Sequence, residues 1–168
     1  MGGLRGGFMT EAERAVEKAL TFLERKDRTV AEVRERLSKA GFAEEAREAA
    51  VAKLAELGYL NDEDYARRFL ESLIGKGRGR IRIAGEMRRK GLGEDMVRFA
   101  IEDGYPREAE AAAAQRVAEQ TVREIPAALW ESEPRKAQEK VSRRLVGRGF
   151  PYEIIGEVMA RLRNEGEG

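Results

Sequence analysis

The sequence predicts an all-α protein built from three tandem units of three helices each. Three observations support this prediction: apolar residues recur at helical spacing throughout the chain, strand signals are nearly absent, and one short pattern occurs three times. Of the 168 residues, 42% are apolar and 38% are charged. This balance is typical of a folded chain, and no apolar run approaches the roughly 20 residues that a membrane-spanning helix needs.

The repeated pattern is a large apolar residue, three further residues, a glycine and a second large apolar residue. It occurs at 37–42, 87–92 and 145–150, so that its glycines lie 50 and 58 residues apart. Apolar residues at i, i+4 and i+8 before each glycine predict a helix with one buried side, and a similar series after it predicts another. Because glycine tolerates the left-handed conformation that ends many helices, each pattern predicts a helix, a tight turn and a helix.

A further helix is predicted before each pair, at roughly 10–25, 62–75 and 106–124. Pro126 and Pro134 interrupt the helical pattern of the last unit, and Trp130 between them is predicted to anchor a loop. The glycine-rich residues 75–79 predict a flexible connector. The predicted organisation is a flexible N-terminus at 1–9, repeats at 10–60, 61–104 and 105–163, and a flexible C-terminus at 164–168.

The sequence contains neither cysteine nor histidine. This excludes disulfide scaffolds, thiol nucleophiles, imidazole bases and the usual zinc and iron–sulfur sites. Paired carboxylates do occur, but they lie at predicted helix starts, where acidic side chains interact favourably with the helix dipole. We therefore expect a protein that is not an enzyme and has no catalytic residue, metal or cofactor. The first residues lack the apolar core of a secretory signal, which predicts a cytoplasmic location.

Charge is distributed unevenly along a chain whose formal net charge is +1. Residues 1–66 carry 11 basic and 14 acidic side chains, residues 67–90 carry nine and two, and residues 91–168 carry 12 and 15. The middle of the chain is therefore strongly basic, between two mildly acidic ends. Such an asymmetry predicts a surface that binds an anionic partner.

The basic side chains are predicted to lie on the exposed side of the second helix of a unit. With about 100° per residue and Met87 buried, Arg78, Arg82 and Arg89 project away from the core. An ordinary solvated helix face is the alternative interpretation. The target of a functional face is an acidic protein surface or a phosphate backbone, between which charge does not discriminate. The predicted partner-binding or DNA-binding residues are Lys76, Arg78, Arg80, Arg82, Arg88, Arg89, Lys90, Lys136, Lys140 and Arg143.

Several of these segments resemble the RecX family. Residues 58–66, GYLNDEDYA, are similar to its GYLDD..FA element, with Asn61 for Asp and Tyr65 for Phe. Residues 77–92 resemble its second-repeat element, and the likeness extends in order over roughly residues 12–163. The residues that resemble its first repeat are Ala19, Leu20, Leu23, Arg25, Arg28, Thr29, Glu32, Val33, Leu37, Gly41 and Phe42.

The resemblance implies three tandem three-helix repeats in an elongated, curved chain. It also implies a non-enzymatic regulator that binds the filament of the RecA recombinase and modulates its ATPase, strand-exchange and coprotease activities, which members of the family usually limit. We further expect a monomer with weak, salt-sensitive affinity for nucleic acid and no membrane partner. Two alternatives stay open: a helix-turn-helix-type DNA-binding protein, and a helical-repeat adaptor for another acidic partner.

Overall fold

The computed structural model describes residues 7–166, and within that range the chain forms helices and no strand. No helix in this range is both long and apolar enough to span a bilayer. The predicted all-α class with repeated helical groups is confirmed. The helices are α1 (Glu11–Leu23), α2 (Val30–Lys39), α3 (Glu44–Glu56), α4 (Asp62–Gly75), α5 (Arg80–Arg89), α6 (Glu94–Gly104), α7 (Arg107–Glu124), α8 (Ala127–Ser132), α9 (Pro134–Arg148) and α10 (Tyr152–Gly166).

The last part of the chain differs from the sequence prediction in two places. The helices do break at Pro126 and Pro134, as predicted, but Trp130 between them lies in the short helix α8, where a loop was expected. Each proline precedes or begins the helix that follows it. Helix α10 also continues to Gly166, beyond the predicted repeat end at 163. Of the predicted flexible segments 1–9 and 164–168, residues 1–6 and 167–168 lie outside the described residues.

The contacts divide the chain into two compact units. The first comprises the chain up to Ala66 together with Arg88–Gly93, and the second comprises Arg67–Met87 and the chain from Glu94 onward. The division falls inside α4 and α5, and three repeats at the predicted boundaries stay a prediction.

The core of the first unit is built from small and aliphatic side chains. Ala15 and Ala19 of α1 and Ala50 of α3 are fully buried, and α1 packs against α3 in this region. Side chains as small as alanine allow two helices to approach closely. Val33 and Leu37 of α2 complete the cluster, as the apolar series before the first glycine predicts.

The core of the second unit lies where α7 packs against α9 and α10. Ala114 of the alanine-rich helix α7 is fully buried, as are Val141 and Leu145 of α9. The helix α10 contributes Ile154 and Val158 from its apolar side. The alanines of α7 therefore allow close packing on two sides, as those of α1 do in the first unit.

In the first unit, the turn after α5 docks on the first turn of α2. Gly91 adopts a positive φ of 84°, and a Cβ at this position would collide with the Cβ of Ala31. The Thr29 hydroxyl donates a hydrogen bond of 2.6 Å to the carbonyl oxygen of Lys90. Thr29 also caps α2 through a reciprocal capping box with Glu32. One threonine thus begins a helix and holds the end of another.

In the second unit, the turn after α9 docks in the same way on the first turn of α5. The backbone N–H of Gly79 donates to the Arg148 carbonyl at 2.8 Å, and that of Ile81 donates to the Gly149 carbonyl at 3.0 Å. A Cβ on Gly79 would overlap the Gly149 carbonyl, and a Cβ on Gly149 would overlap the backbone of Arg82. The expectation of a flexible connector is therefore wrong at Gly79, which is buried and hydrogen-bonded.

Candidate anion-binding cleft

The second unit contains a cleft with a volume of about 640 Å³ that is rich in arginine. Its walls come from the start of α5, the end of α7, the start of α8 and the last three turns of α9. Five of its lining side chains are basic and one is acidic. The lining residues are Arg82, Thr121, Glu124, Ile125, Pro126, Lys140, Arg143, Arg144, Gly147 and Arg148.

The docked turn after α9 positions two of these arginines. Arg148 donates from its guanidinium to the Lys76 carbonyl at 3.0 Å, and Arg82 donates to the Gly147 carbonyl at 3.2 Å. Both guanidinium groups are therefore tied to backbone atoms at the junction of α5 and α9. Among the lining residues of α7, the buried Thr121 hydroxyl donates to the Val117 carbonyl of the same helix at 2.7 Å. The cleft is thus formed by packed helices.

Positive charge is concentrated in the cleft beyond what its single carboxylate balances. The carboxylate of Glu124 lies 3.4 Å from the guanidinium group of Arg144. Among the described residues, this ion pair joins two side chains that both line the cleft. Burial lowers the pKa of Arg148, and the neighbouring Arg78, Arg144 and Arg82 lower it further. A bound anion would reduce both penalties, since it offsets the repulsion and takes the place of lost hydration.

Three of the sequence-predicted basic residues, Arg82, Lys140 and Arg143, line the cleft. Lys136 lies on the same helix but is not part of the lining, and its ammonium group pairs with Glu133 at 3.0 Å. Lys76 is exposed and contributes its carbonyl oxygen to the bond with Arg148. The predicted set is therefore only partly brought together.

The predicted placement of Arg78 on the outer face of a helix is wrong. Helix α5 begins at Arg80, so that Arg78 precedes it and the helical projection does not apply. The Arg78 carbonyl accepts a hydrogen bond of 3.0 Å from the hydroxyl of buried Tyr105. Arg78 still contributes positive charge near Arg148, because its proximity lowers the pKa of that residue.

Arg80 is engaged inside the fold by Glu110. The fully buried Glu110 carboxylate accepts from the Arg80 Nε at 2.6 Å and from the Arg80 backbone N–H at 2.7 Å. The Arg80 guanidinium also donates to the Tyr105 carbonyl at 3.0 Å. Because Glu110 satisfies a backbone N–H in the first turn of α5, this pair fixes the helix start.

The predicted residues Arg88, Arg89 and Lys90 belong to the first unit. The Lys90 ammonium group lies 3.9 Å from Glu32, and the Lys90 carbonyl accepts from Thr29. Arg88 and Arg89 are exposed at the end of α5. In the described residues, no group of acidic side chains is arranged to hold a metal ion.

Two cleft residues, Arg144 and Arg148, are absent from the sequence-predicted set. Together with Lys140 they form a series at i, i+4 and i+8, which places three cations along one side of α9. The sequence prediction considered the side opposite the core, which includes Lys140, whereas Arg144 and Arg148 lie successively closer to the core side of the helix. The i+4 spacing was the signal that could have identified them.

Two family models match this chain: RecX, first three-helix domain, at residues 15–54, and RecX, second three-helix domain, at residues 61–101. The chain is 32% identical over 163 residues to a "Regulatory protein RecX" of Mycolicibacterium vanbaalenii, covering 92% of this chain and 86% of that protein. A second, from Mycolicibacterium smegmatis, is 32% identical over 165 residues, covering 94% and 85%.

The fold is also similar to solved structures. The crystal structure of RecX from Lactobacillus salivarius aligns with a TM-score of 0.80 at 22% identity, covering 91% of this chain and 97% of that one. A second crystal structure, of a regulatory protein RecX, aligns with a TM-score of 0.71 at 24% identity, covering 88% and 71%. These likenesses show the fold, and the sequence matches show the family. The chain therefore belongs to the RecX family of regulatory proteins.

Proposed function

We propose that this chain is a non-enzymatic regulator that binds the RecA–DNA filament and inhibits the ATPase, strand-exchange and coprotease activities of RecA. The observation that carries the proposal is the match to regulatory proteins of the RecX family along nearly the whole chain. RecA as the partner is what the family resemblance implies. The proposal includes a monomeric chain that acts in the cytoplasm and is organised in three repeats, at 10–60, 61–104 and 105–163.

The distribution of charge supports an anionic partner. A RecA filament on DNA presents phosphate groups, and the cleft of the second unit presents five basic side chains with one carboxylate. Single-sign clefts raise the local concentration of oppositely charged ligands and accelerate association. The same physics makes the interaction sensitive to ionic strength, because surface charges are screened over about 10 Å at 0.1 M salt.

The direct test is ATP hydrolysis by RecA on single-stranded DNA while this protein is titrated from far below equimolar to equimolar. We expect the rate of hydrolysis to decrease already at ratios of this protein to RecA far below equimolar, because one regulator bound to a filament affects many protomers. A DNA-independent ATPase serves as the control and should be unaffected. Unchanged RecA hydrolysis at excess protein with intact helical circular dichroism would contradict the proposal and favour an adaptor for another acidic partner.

A further inference from the structure

We propose that the arginine-rich cleft of the second unit is a phosphate-binding site for the backbone of nucleic acid or for a free polyphosphate. The inference rests on the proposed function only for its biological context, since the cleft is defined by its own geometry.

The lining of the cleft carries an excess of positive charge. One cavity of about 640 Å³ is lined by five cations and by the carboxylate of Glu124. The cations belong to Arg82, Lys140, Arg143, Arg144 and Arg148. Two lining arginines form long ion pairs with acidic residues outside the cleft. The guanidinium-to-carboxylate distance is 4.0 Å between Arg82 and Glu86 and 3.9 Å between Arg143 and Glu139. Neither Glu86 nor Glu139 lines the cleft, so the cavity itself has an excess of positive charge.

The cations of the lining are chemically suited to phosphate. Four of the five are arginines, whose planar guanidinium groups present paired N–H donors that match the oxygen atoms of a phosphate. The backbone bonds of Arg82 and Arg148 hold their guanidinium groups at the cleft and leave further donors on each group. The volume lies within the range of about 300–1,000 Å³ that is usual for ligand sites.

The composition of the lining favours phosphate over an acidic protein segment as the ligand. Protein interfaces have cores that are depleted of charge and enriched in aromatic residues, whereas interfaces with DNA are strongly positive and polar. The lining of this cleft contains no aromatic residue, and Ile125 and Pro126 are its only large apolar members. The composition of the cleft is therefore that of a phosphate site.

The same absence of aromatic side chains in the lining predicts the mode of recognition. Sequence-tolerant binding of single strands commonly uses bases stacked on aromatic rings, and this cleft offers none. Binding should depend on phosphate groups alone and be indifferent to base sequence. The logarithm of the affinity for a single strand should therefore fall linearly with the logarithm of salt concentration, by about 0.7 for each phosphate neutralised.

The test measures binding of a fluorescent oligothymidylate of about 15 nucleotides, without RecA, between about 50 and 200 mM salt. The variant is the double substitution Lys140→Gln and Arg143→Gln, two exposed cleft residues of α9. Its matched control is Arg135→Gln and Lys136→Gln, which removes the same charge from exposed positions of the same helix outside the lining. We expect about tenfold weaker binding and a salt slope smaller by about 1.4 for the cleft variant only.

A second variant, Glu124→Gln, is expected to bind more tightly, a result that loss of folding could not produce. Removing the carboxylate of the lining frees Arg144 and raises the positive charge, so that binding should tighten by about threefold to tenfold. A destabilised protein would lose affinity and could not gain it. Equal weakening by both lysine–arginine pairs, or no tightening in Glu124→Gln, would overturn the proposal.

Competition identifies the source of the phosphate. Tripolyphosphate that displaces the oligonucleotide at equal phosphate concentration points to a free polyphosphate, and weak displacement points to a nucleic-acid backbone; both support the site. Polyglutamate that binds more tightly than the oligonucleotide would overturn it in favour of an acidic protein. RecA ATPase measured in parallel separates the two proposals: wild-type protein that binds DNA without inhibiting RecA contradicts the proposed function alone.

Discussion

The first unit contains two glycine turns that share a sequence pattern and differ in their surroundings. Gly41 and Gly91 both end a helix with a positive φ, of 89° and 84°. A Cβ at Gly41 would meet no atom within 4 Å, whereas a Cβ at Gly91 would collide with Ala31. The difference teaches that the pattern specifies a turn, and that a second helix in contact with the turn gives its glycine a further role.

The second unit extends the comparison. Gly149 has the same φ as Gly41, 89°, but its turn accepts backbone hydrogen bonds from the segment that begins α5. The turns at Gly41 and Gly149 have similar internal hydrogen bonds: the Phe42 N–H donates to the Leu37 carbonyl at 3.1 Å, and the Phe150 N–H donates to the Leu145 carbonyl at 3.2 Å. The local structure is therefore the same, and the neighbours alone distinguish the turns.

The largest expected effect comes from comparing Gly149→Ala with Gly41→Ala. Both place alanine in a left-handed conformation, which costs about 1–2 kcal/mol. Only at Gly149 does the new Cβ overlap the backbone of Arg82, which adds about 1–3 kcal/mol of overpacking. We expect chemical unfolding followed by circular dichroism to show a clearly larger loss of stability at Gly149. Similar losses in the two variants would show that docking at Gly149 contributes little.

The next largest effect is expected from substitutions at Gly91 and Ala31, which are in contact in the first unit. Gly91→Ala should destabilise by about 2–4 kcal/mol, because strain and the collision with Ala31 add. Combining it with Ala31→Gly removes the collision and should recover about 1–2 kcal/mol, measured as the coupling energy of a double-mutant cycle. The pair Gly41→Ala and Ala31→Gly, which lack contact, provides the control and should be additive.

The smallest expected effect concerns Tyr105, which supports the segment before α5 on which the Gly149 turn docks. Burial raises the pKa of Tyr105 to about 12, with the Glu110 carboxylate as the second cause, and its hydroxyl donates to the Arg78 carbonyl. Because the folded pKa lies above the unfolded value of about 10, the tyrosine contributes stability that is fully present below pH 10. This contribution, about 1–3 kcal/mol, is lost as the pH rises through the folded pKa.

The corresponding measurement is the unfolding midpoint at several pH values between about 9 and 11.5, for wild type and for Tyr105→Phe. We expect wild type to lose more stability over this interval than the variant, since the variant has no phenol to ionise at 105. Tyr59→Phe, at an exposed tyrosine, is the control and should keep the wild-type slope. Parallel curves for all three proteins would contradict a role of the Tyr105 hydroxyl.

Much of the fold could be predicted from local patterns. The predicted helix at 62–75 matches α4, and Asn61 caps it by accepting from the Asp64 N–H at 3.0 Å. Caps and apolar spacing act within a few residues, so the sequence displays them directly. Helix α8 was missed because a six-residue helix between two prolines has too few residues to show a period.

The candidate site was less predictable. Lys140 and Arg143 were identified on α9, but Arg144 and Arg148 were not, because the prediction considered only the side opposite the core. Arg80 looked equivalent to its basic neighbours in the sequence, yet it pairs with the buried Glu110 of another helix. Whether a basic side chain binds a partner or belongs to the fold depends on residues distant in sequence.

Helix α9 differs from α5 at its first turn, and this difference also depends on tertiary contacts. Under the repeat spacing of 58, Ala137 corresponds to Gly79, whose N–H binds the docked turn. Helix α9 begins earlier, at Pro134, and the Ala137 N–H bonds to the Glu133 carbonyl at 3.2 Å. The extra first turn of α9 thus engages the Ala137 N–H within the helix, so that this donor is not available to bind another turn as the Gly79 N–H does.

The sequence by itself determined most of the helices, the glycine turns, the basic character of the middle of the chain and the family, because each depends on local spacing or on order along the chain. Only the tertiary structure decided which glycine turns are docked, which arginine meets Glu110 and which cations share a cleft. Those outcomes depend on atoms of different helices coming within hydrogen-bonding or van der Waals distance, and spacing along the chain does not encode that distance.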